Sequence, residues 1–108
     1  MIHAYRFHNF KRVWDVSQYE GTGIAFGSDG NDCKVTFQNT FDGAISLQCS
    51  TADFVSIDTT KSEITCDIPA GEFVLPAGEY MFFCELILPT RMIMLERTFA
   101  VVLISSEG

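Results

Sequence analysis

The chain reads as an all-β protein, an antiparallel sandwich or barrel of about seven strands. Three observations predict this. Turn chemistry recurs roughly every 8 to 12 residues, and the segments between turns alternate apolar and polar residues with period two. Thr, Val, Ile and Phe crowd those segments, while Gly, Asp and Asn collect between them. With 108 residues a single hydrophobic core is expected, so residues 1–108 are read as one domain.

Taken in order, Ala4 to Phe10 is a weakly alternating first strand. The region from Val13 to Phe26 holds Trp14, Val16, Tyr19, Ile24 and Phe26, interrupted by Gly21-Thr22-Gly23. That tripeptide is a bend or bulge and not a phosphate loop, because neither a helical pattern nor a Lys-Ser/Thr pair follows it. Gly27-Ser28-Asp29-Gly30-Asn31-Asp32 is a loop whose acidic spacing invites a calcium reading. No Glu follows at the position a calcium-binding EF-hand loop requires, and no helical pattern flanks it, so a plain turn is expected.

Next, Val35, Phe37, Asn39 and Phe41 fall on one side of a strand, with Thr36, Gln38 and Thr40 on the other. Asp42-Gly43 predicts a type I′ hairpin, a turn that needs positive φ at both central residues. Its return strand places Ile45, Leu47 and Cys49 inward and Ser46, Gln48 and Ser50 outward. After a looser loop come Phe54 to Asp58, the turn Thr59 to Ser62, and the strand Ile64 to Ile68.

Pro-Ala-Gly-Glu then occurs twice, at Pro69–Glu72 and Pro76–Glu79, with Phe73-Val74-Leu75 between. Each Pro presets φ for a turn and each Gly releases the chain into the next element. Phe73 to Leu75 is expected to form one helical turn or a plug over an open end of the core. In the strand Tyr80 to Leu88, one face carries Tyr80, Phe82, Cys84, Leu86 and Leu88, and the other carries Met81, Phe83, Glu85 and Ile87. The last strand sets Ile93, Leu95 and Arg97 against Met92, Met94 and Glu96, and runs on through apolar residues from Phe99 to Ile104. Both faces of these two strands are apolar, whereas a solvated face should be polar. Either a neighbouring subunit or the chain's own N-terminal segment is expected to cover the second face.

Charge and chemistry remove several function classes. Seven Lys plus Arg against fourteen Asp plus Glu give a formal charge of -7, which repels phosphate backbones, so no nucleic acid is expected. No window of about 18 apolar residues occurs, so no membrane span is expected. The first residues lack the layout of a secretory signal, and none is expected. Arg6, Lys11 and Arg12 make the start locally basic, which reads either as a solvated end or, over residues 1–12, as a docking arm for an acidic neighbour.

Cys33, Cys49, Cys66 and Cys84 lie 16, 17 and 18 residues apart, with no Cys-x-x-Cys pair and only His3 and His8 as histidines, so no metal site is expected. Reduced thiols are expected, with those on alternating segments acting as small buried apolar groups. No nucleophile elbow or zinc-protease motif is present. Glu85 and Glu96 could lie cross-strand, but Arg91 and Arg97 nearby point to ordinary ion pairing and not acid-base work. Hence no catalytic residue, no cofactor and no small-molecule substrate are expected.

The order of elements from Val35 to Val102 resembles the small immunoglobulin-like β-sandwich domains of tailed-bacteriophage virion proteins, including the N-terminal domain of siphophage baseplate upper proteins. The residues that carry the resemblance are Ile64-Thr65-Cys66-Asp67-Ile68-Pro69, Leu75-Pro76-Ala77-Gly78-Glu79-Tyr80, Tyr80 to Leu86 with its Glu85-Leu86 ending, and Leu95-Glu96-Arg97-Thr98-Phe99-Ala100-Val101. Arg97 stands where the pattern has Gly after Leu-Glu, and the family's early Gly-Asp-Thr-Phe-like motif is blurred into Arg12 to Val16.

The resemblance implies an antiparallel immunoglobulin-like sandwich and a non-enzymatic structural protein, a head decoration, connector or tail or baseplate subunit of a virion. Such a protein would be assembled in the bacterial host cytoplasm, where thiols stay reduced. Its partners would be other virion proteins and copies of itself. The residues expected at the protein interface are Met81, Phe83, Ile87, Met92 and Met94 on the second apolar face, together with Arg6, Lys11 and Arg12. An adhesion or carbohydrate-binding module is the alternative, for which exposed Trp14, Tyr5 and Tyr19 would serve.

Overall fold

The computed structural model describes residues 1–19, 32–58, 61–88 and 92–104. The bend at Gly21-Thr22-Gly23, Ile24, Phe26, most of the Gly27 to Asp32 loop, and Arg91 lie outside the described residues. The described chain is all-β, with eight strands: β1 (Ile2–Tyr5), β2 (Phe10–Asp15), β3 (Asp32–Asn39), β4 (Ile45–Cys49), β5 (Val55–Asp58), β6 (Glu63–Ile68), β7 (Gly78–Ile87) and β8 (Met92–Leu103). They form two sheets, one of five strands in the order β1-β8-β7-β3-β4 and one of three in the order β2-β6-β5. Every pairing is antiparallel except β1 with β8, which is parallel.

Alternation builds the core as the residues predict. Tyr80, Phe82, Cys84, Leu86 and Leu88 are all buried, and Val35, Phe37, Ile64, Cys66 and Ile68 meet them from neighbouring strands and the opposite sheet. Phe10, Phe37, Phe73 and Phe82 make an aromatic centre with ring centroids 5.0–5.8 Å apart. Such tilted and edge-on pairs add to area burial about 0.5–1.5 kcal/mol each. Phe73 enters this centre from the connection between β6 and β7. There the Pro69 carbonyl accepts from the N–H of Glu72 and of Phe73, so the first Pro-Ala-Gly-Glu forms a single tight turn that drives Phe73 and Leu75 inward. In the second copy, Gly78 adopts φ +155°, a conformation L side chains rarely adopt, and Tyr80 follows with its hydroxyl donating to the Pro76 carbonyl at 2.7 Å.

Four local expectations are corrected. The first strand is two strands, because Phe7 takes a left-handed conformation (φ 66°) and donates its N–H to the Phe73 carbonyl, turning the chain from the large sheet to the small one. Most of residues 1–12 lie in β1 and β2. The hairpin after β3 is not type I′, since only Gly43 has positive φ there. Instead the Asn39 side chain accepts from the N–H of Phe41 and of Asp42, ending β3 early and leaving Phe41 97% exposed in the turn. A bulge at Phe37/Gln38 then sets Ile45 opposite Gln38, moving Ile45 from the core to the outer face, where it is 59% exposed. A second bulge, at Cys84/Glu85, pairs Glu85 with Met94 and Cys84 with Glu96, so Glu96 points into the space between the sheets and Arg97 points out.

Candidate functional site

The outer face of the five-stranded sheet is the feature most in need of a function. Register places Met81, Phe83, Glu85 and Ile87 of β7 there, with Met92, Met94, Arg97, Phe99 and Val101 of β8 beside them. On β3 the same face carries Lys34, Thr36 and Gln38; His3 and Tyr5 of β1 and Ile45 of β4 complete its margins. Met92, Met94, Phe99, Tyr5 and Ile45 are exposed, while Met81, Phe83, Ile87 and Val101 are half-buried. Thr36 at the centre is fully buried and accepts from the Gln48 amide at 3.1 Å, so the sheet's own long side chains roof over its middle. Among the described residues, Asp32, Lys34, Glu79, Glu85 and Arg97 are the charges that interrupt the surface.

The structure thus brings together Met81, Phe83, Ile87, Met92 and Met94, five of the eight residues expected at an interface. The three cations do not join them. Arg6 lies at the end of β1, where its Nε donates to the Val74 carbonyl at 3.3 Å and its guanidinium sits 4.6 Å over the Phe7 ring. Lys11 is exposed on β2. Arg12 faces inward on β2, in register with Cys66 between Phe10 and Trp14, and reaches across to the large sheet.

That reach forms the second notable site. Arg12 Nε donates to Glu96 Oε1 at 2.6 Å, its Nη2 donates to Oε2, and the Trp14 indole N–H donates to Oε1 at 2.9 Å. The Arg12 hydrogen bonds hold the Glu96 carboxyl below its ordinary pKa against the opposing effect of burial, with the Trp14 N–H adding to them. Glu96 is therefore neither cross-strand to Glu85 nor paired with Arg97. Trp14 is buried and stacked on Phe82 at 6.2 Å. Residues 84 positions apart form this clasp, and only the opposite charges of Arg12 and Glu96 hint at it in the sequence.

All four cysteines are free and buried. Burial pushes the Cys66 thiol up to about 12 and the Cys49 thiol to about 11, and the Cys84 thiol is raised by its contact with Cys33, 3.4 Å away, and then by burial. Cys49, Cys66 and Cys84 are thus packing groups held protonated. Among the described residues no group of three or more His, Cys, Asp or Glu is placed to hold a metal ion. The chain matches no family model, and no curated protein is significantly similar to it.

Proposed function

We propose that this chain is a non-enzymatic structural subunit, an immunoglobulin-like β-sandwich that works by protein–protein assembly in a bacteriophage virion as a head decoration, connector or tail or baseplate component. The observation that carries the assembly role is the outer face: Met81, Phe83, Ile87, Met92, Met94 and Phe99 share one surface of the large sheet. Apolar residues gathered on one face in this way, even with charges among them, are typical of interaction sites and costly to leave in water.

Two features support the immunoglobulin-like reading. The split of strands between the sheets, with β1 running parallel to β8 at the edge of the large sheet and β2 in the small one, is consistent with the way such sandwiches divide their strands, and the Tyr80 hydroxyl bonded to the backbone four residues upstream resembles their tyrosine corner. The virion setting rests on the resemblance of Leu75 to Leu86 and Leu95 to Val101, and four unpaired thiols agree with assembly in a reducing cytoplasm.

Sedimentation velocity of the purified protein and of Phe83→Asp tests the assembly role. Wild-type protein that forms a discrete oligomer, with Phe83→Asp folded but dissociated, is the expected result. Identical association of the two would remove the outer face as the interface.

A further inference from the structure

The two edges of the five-stranded sheet complement each other. Resting on the assembly reading above, we propose that the partner is a second copy of this chain, and that β4 of one copy adds antiparallel onto the edge of β1 that is unpaired among the described residues in the next, joining the large sheets head to tail.

Strand direction permits this without turning a copy over. β1 runs parallel to β8, and three antiparallel steps separate β8 from β4, so β1 and β4 at opposite edges run in opposite directions. Copies set side by side by translation along the sheet therefore meet as an antiparallel pair, the pairing with the straighter hydrogen bonds. Their outer faces then lie on the same side.

Edge chemistry singles out these two strands. Edges are normally blunted with charge or proline, as in the small sheet, where β2 carries Lys11, Arg12 and Asp15 and β5 ends in Asp58. Ile2–Tyr5 and Ile45–Cys49 contain no Asp, Glu, Lys, Arg or Pro. A cleft of about 290 Å³ runs between β1 and the start of β2, leaving room beside the β1 edge.

Charge sets the register. β4 is flanked by Asp42 before it and Asp53 after it; β1 is followed by Arg6. In the antiparallel arrangement the turn that holds Asp42 comes to the Arg6 end of β1, so acid faces base there. A two-fold pairing of β4 with β4 would instead set Asp42 against Asp53 twice. The same register keeps the faces matched: Ile45 beside Tyr5 and Gln48 beside His3 outside, Leu47 beside Ala4 and Cys49 beside Ile2 inside, with Ser46 taken up in the bulge. Because this interface joins two different surfaces, it closes into a ring or extends as a filament.

A charge swap followed by sedimentation velocity decides it. Asp42→Arg and Arg6→Asp are each expected to weaken association by about tenfold or more, since each sets like charges together. The double variant, and an equimolar mixture of the two single variants, are expected to regain it, which also shows that each single variant folds. Association lost in Phe83→Asp but indifferent to both reversals overturns the edge pairing and leaves the outer-face reading standing. Association restored by the swap but indifferent to Phe83→Asp does the reverse. A wild-type chain that stays monomeric overturns both.

Discussion

The Arg12 guanidinium on β2 and the Glu96 carboxylate on β8 form a two-point ion pair that ties the small sheet to the large one across an open edge of the core. β1 is too short to cover this part of β8, since its partners run only from Ala100 to Leu103. The pair, with the Trp14 indole N–H, closes the gap that remains.

Glu96→Gln is expected to cost about 1 kcal/mol at neutral pH, the range of a partly solvated pair with good geometry. The sign of its pH dependence follows from the lowered Glu96 pKa. A carboxyl depressed in the folded state contributes stability above its ordinary value of 4.5 and loses that contribution as pH falls through the lower folded value. Urea melts of wild type and Glu96→Gln should therefore differ at pH 7 and draw together as pH falls below 4.5 through the lower folded value. A constant difference across that range would show that the charge of Glu96 does not matter.

Tyr80→Phe removes only the hydroxyl that donates to the Pro76 carbonyl at 2.7 Å. The ring keeps its place against Phe37, with centroids 6.4 Å apart. A loss of about 1 kcal/mol is expected for one such bond, a fall in Tm of about 4–6 °C for a domain of this size. Thermal melts by circular dichroism measure it, and an unchanged Tm would mean that the turn before β7 holds without the bond.

Phe82 and Phe83 are adjacent in sequence and face opposite ways. Phe82→Asp places an unpaired charge in the aromatic centre and should abolish folding, whereas Phe83→Asp sits on the outer face and should stay folded. Soluble yield and far-ultraviolet circular dichroism separate the two. Equal loss of folded protein would refute the face assignment.

Much of this architecture is legible in the residues and some of it is not, for a physical reason. Period-two alternation reports burial directly, so the inner face of β7 from Tyr80 to Leu88 and the shared surface of Met81, Phe83, Ile87, Met92 and Met94 follow from spacing alone. A bulge breaks that rule without a local signature, because it depends on which strand lies opposite. Ile45 and Glu96 are the residues it misplaces, one moved out to the surface and the other in towards Arg12. Phe7 hides its turn in the same way: a bulky residue at positive φ is held there by the Phe73 carbonyl, 66 positions later.

Methionine oxidation by excess hydrogen peroxide tests most directly whether the outer face is covered on assembly, with free methionine as the internal standard and mass spectrometry as the readout. Met92 is 56% exposed, Met94 44%, and Met81 is half-buried beside them in the isolated chain. Fast oxidation of Met92 and Met94 in dilute protein, with protection of all three growing as concentration rises, is the predicted result. Oxidation rates that stay the same from dilute to concentrated protein would contradict the outer face as the surface covered on assembly.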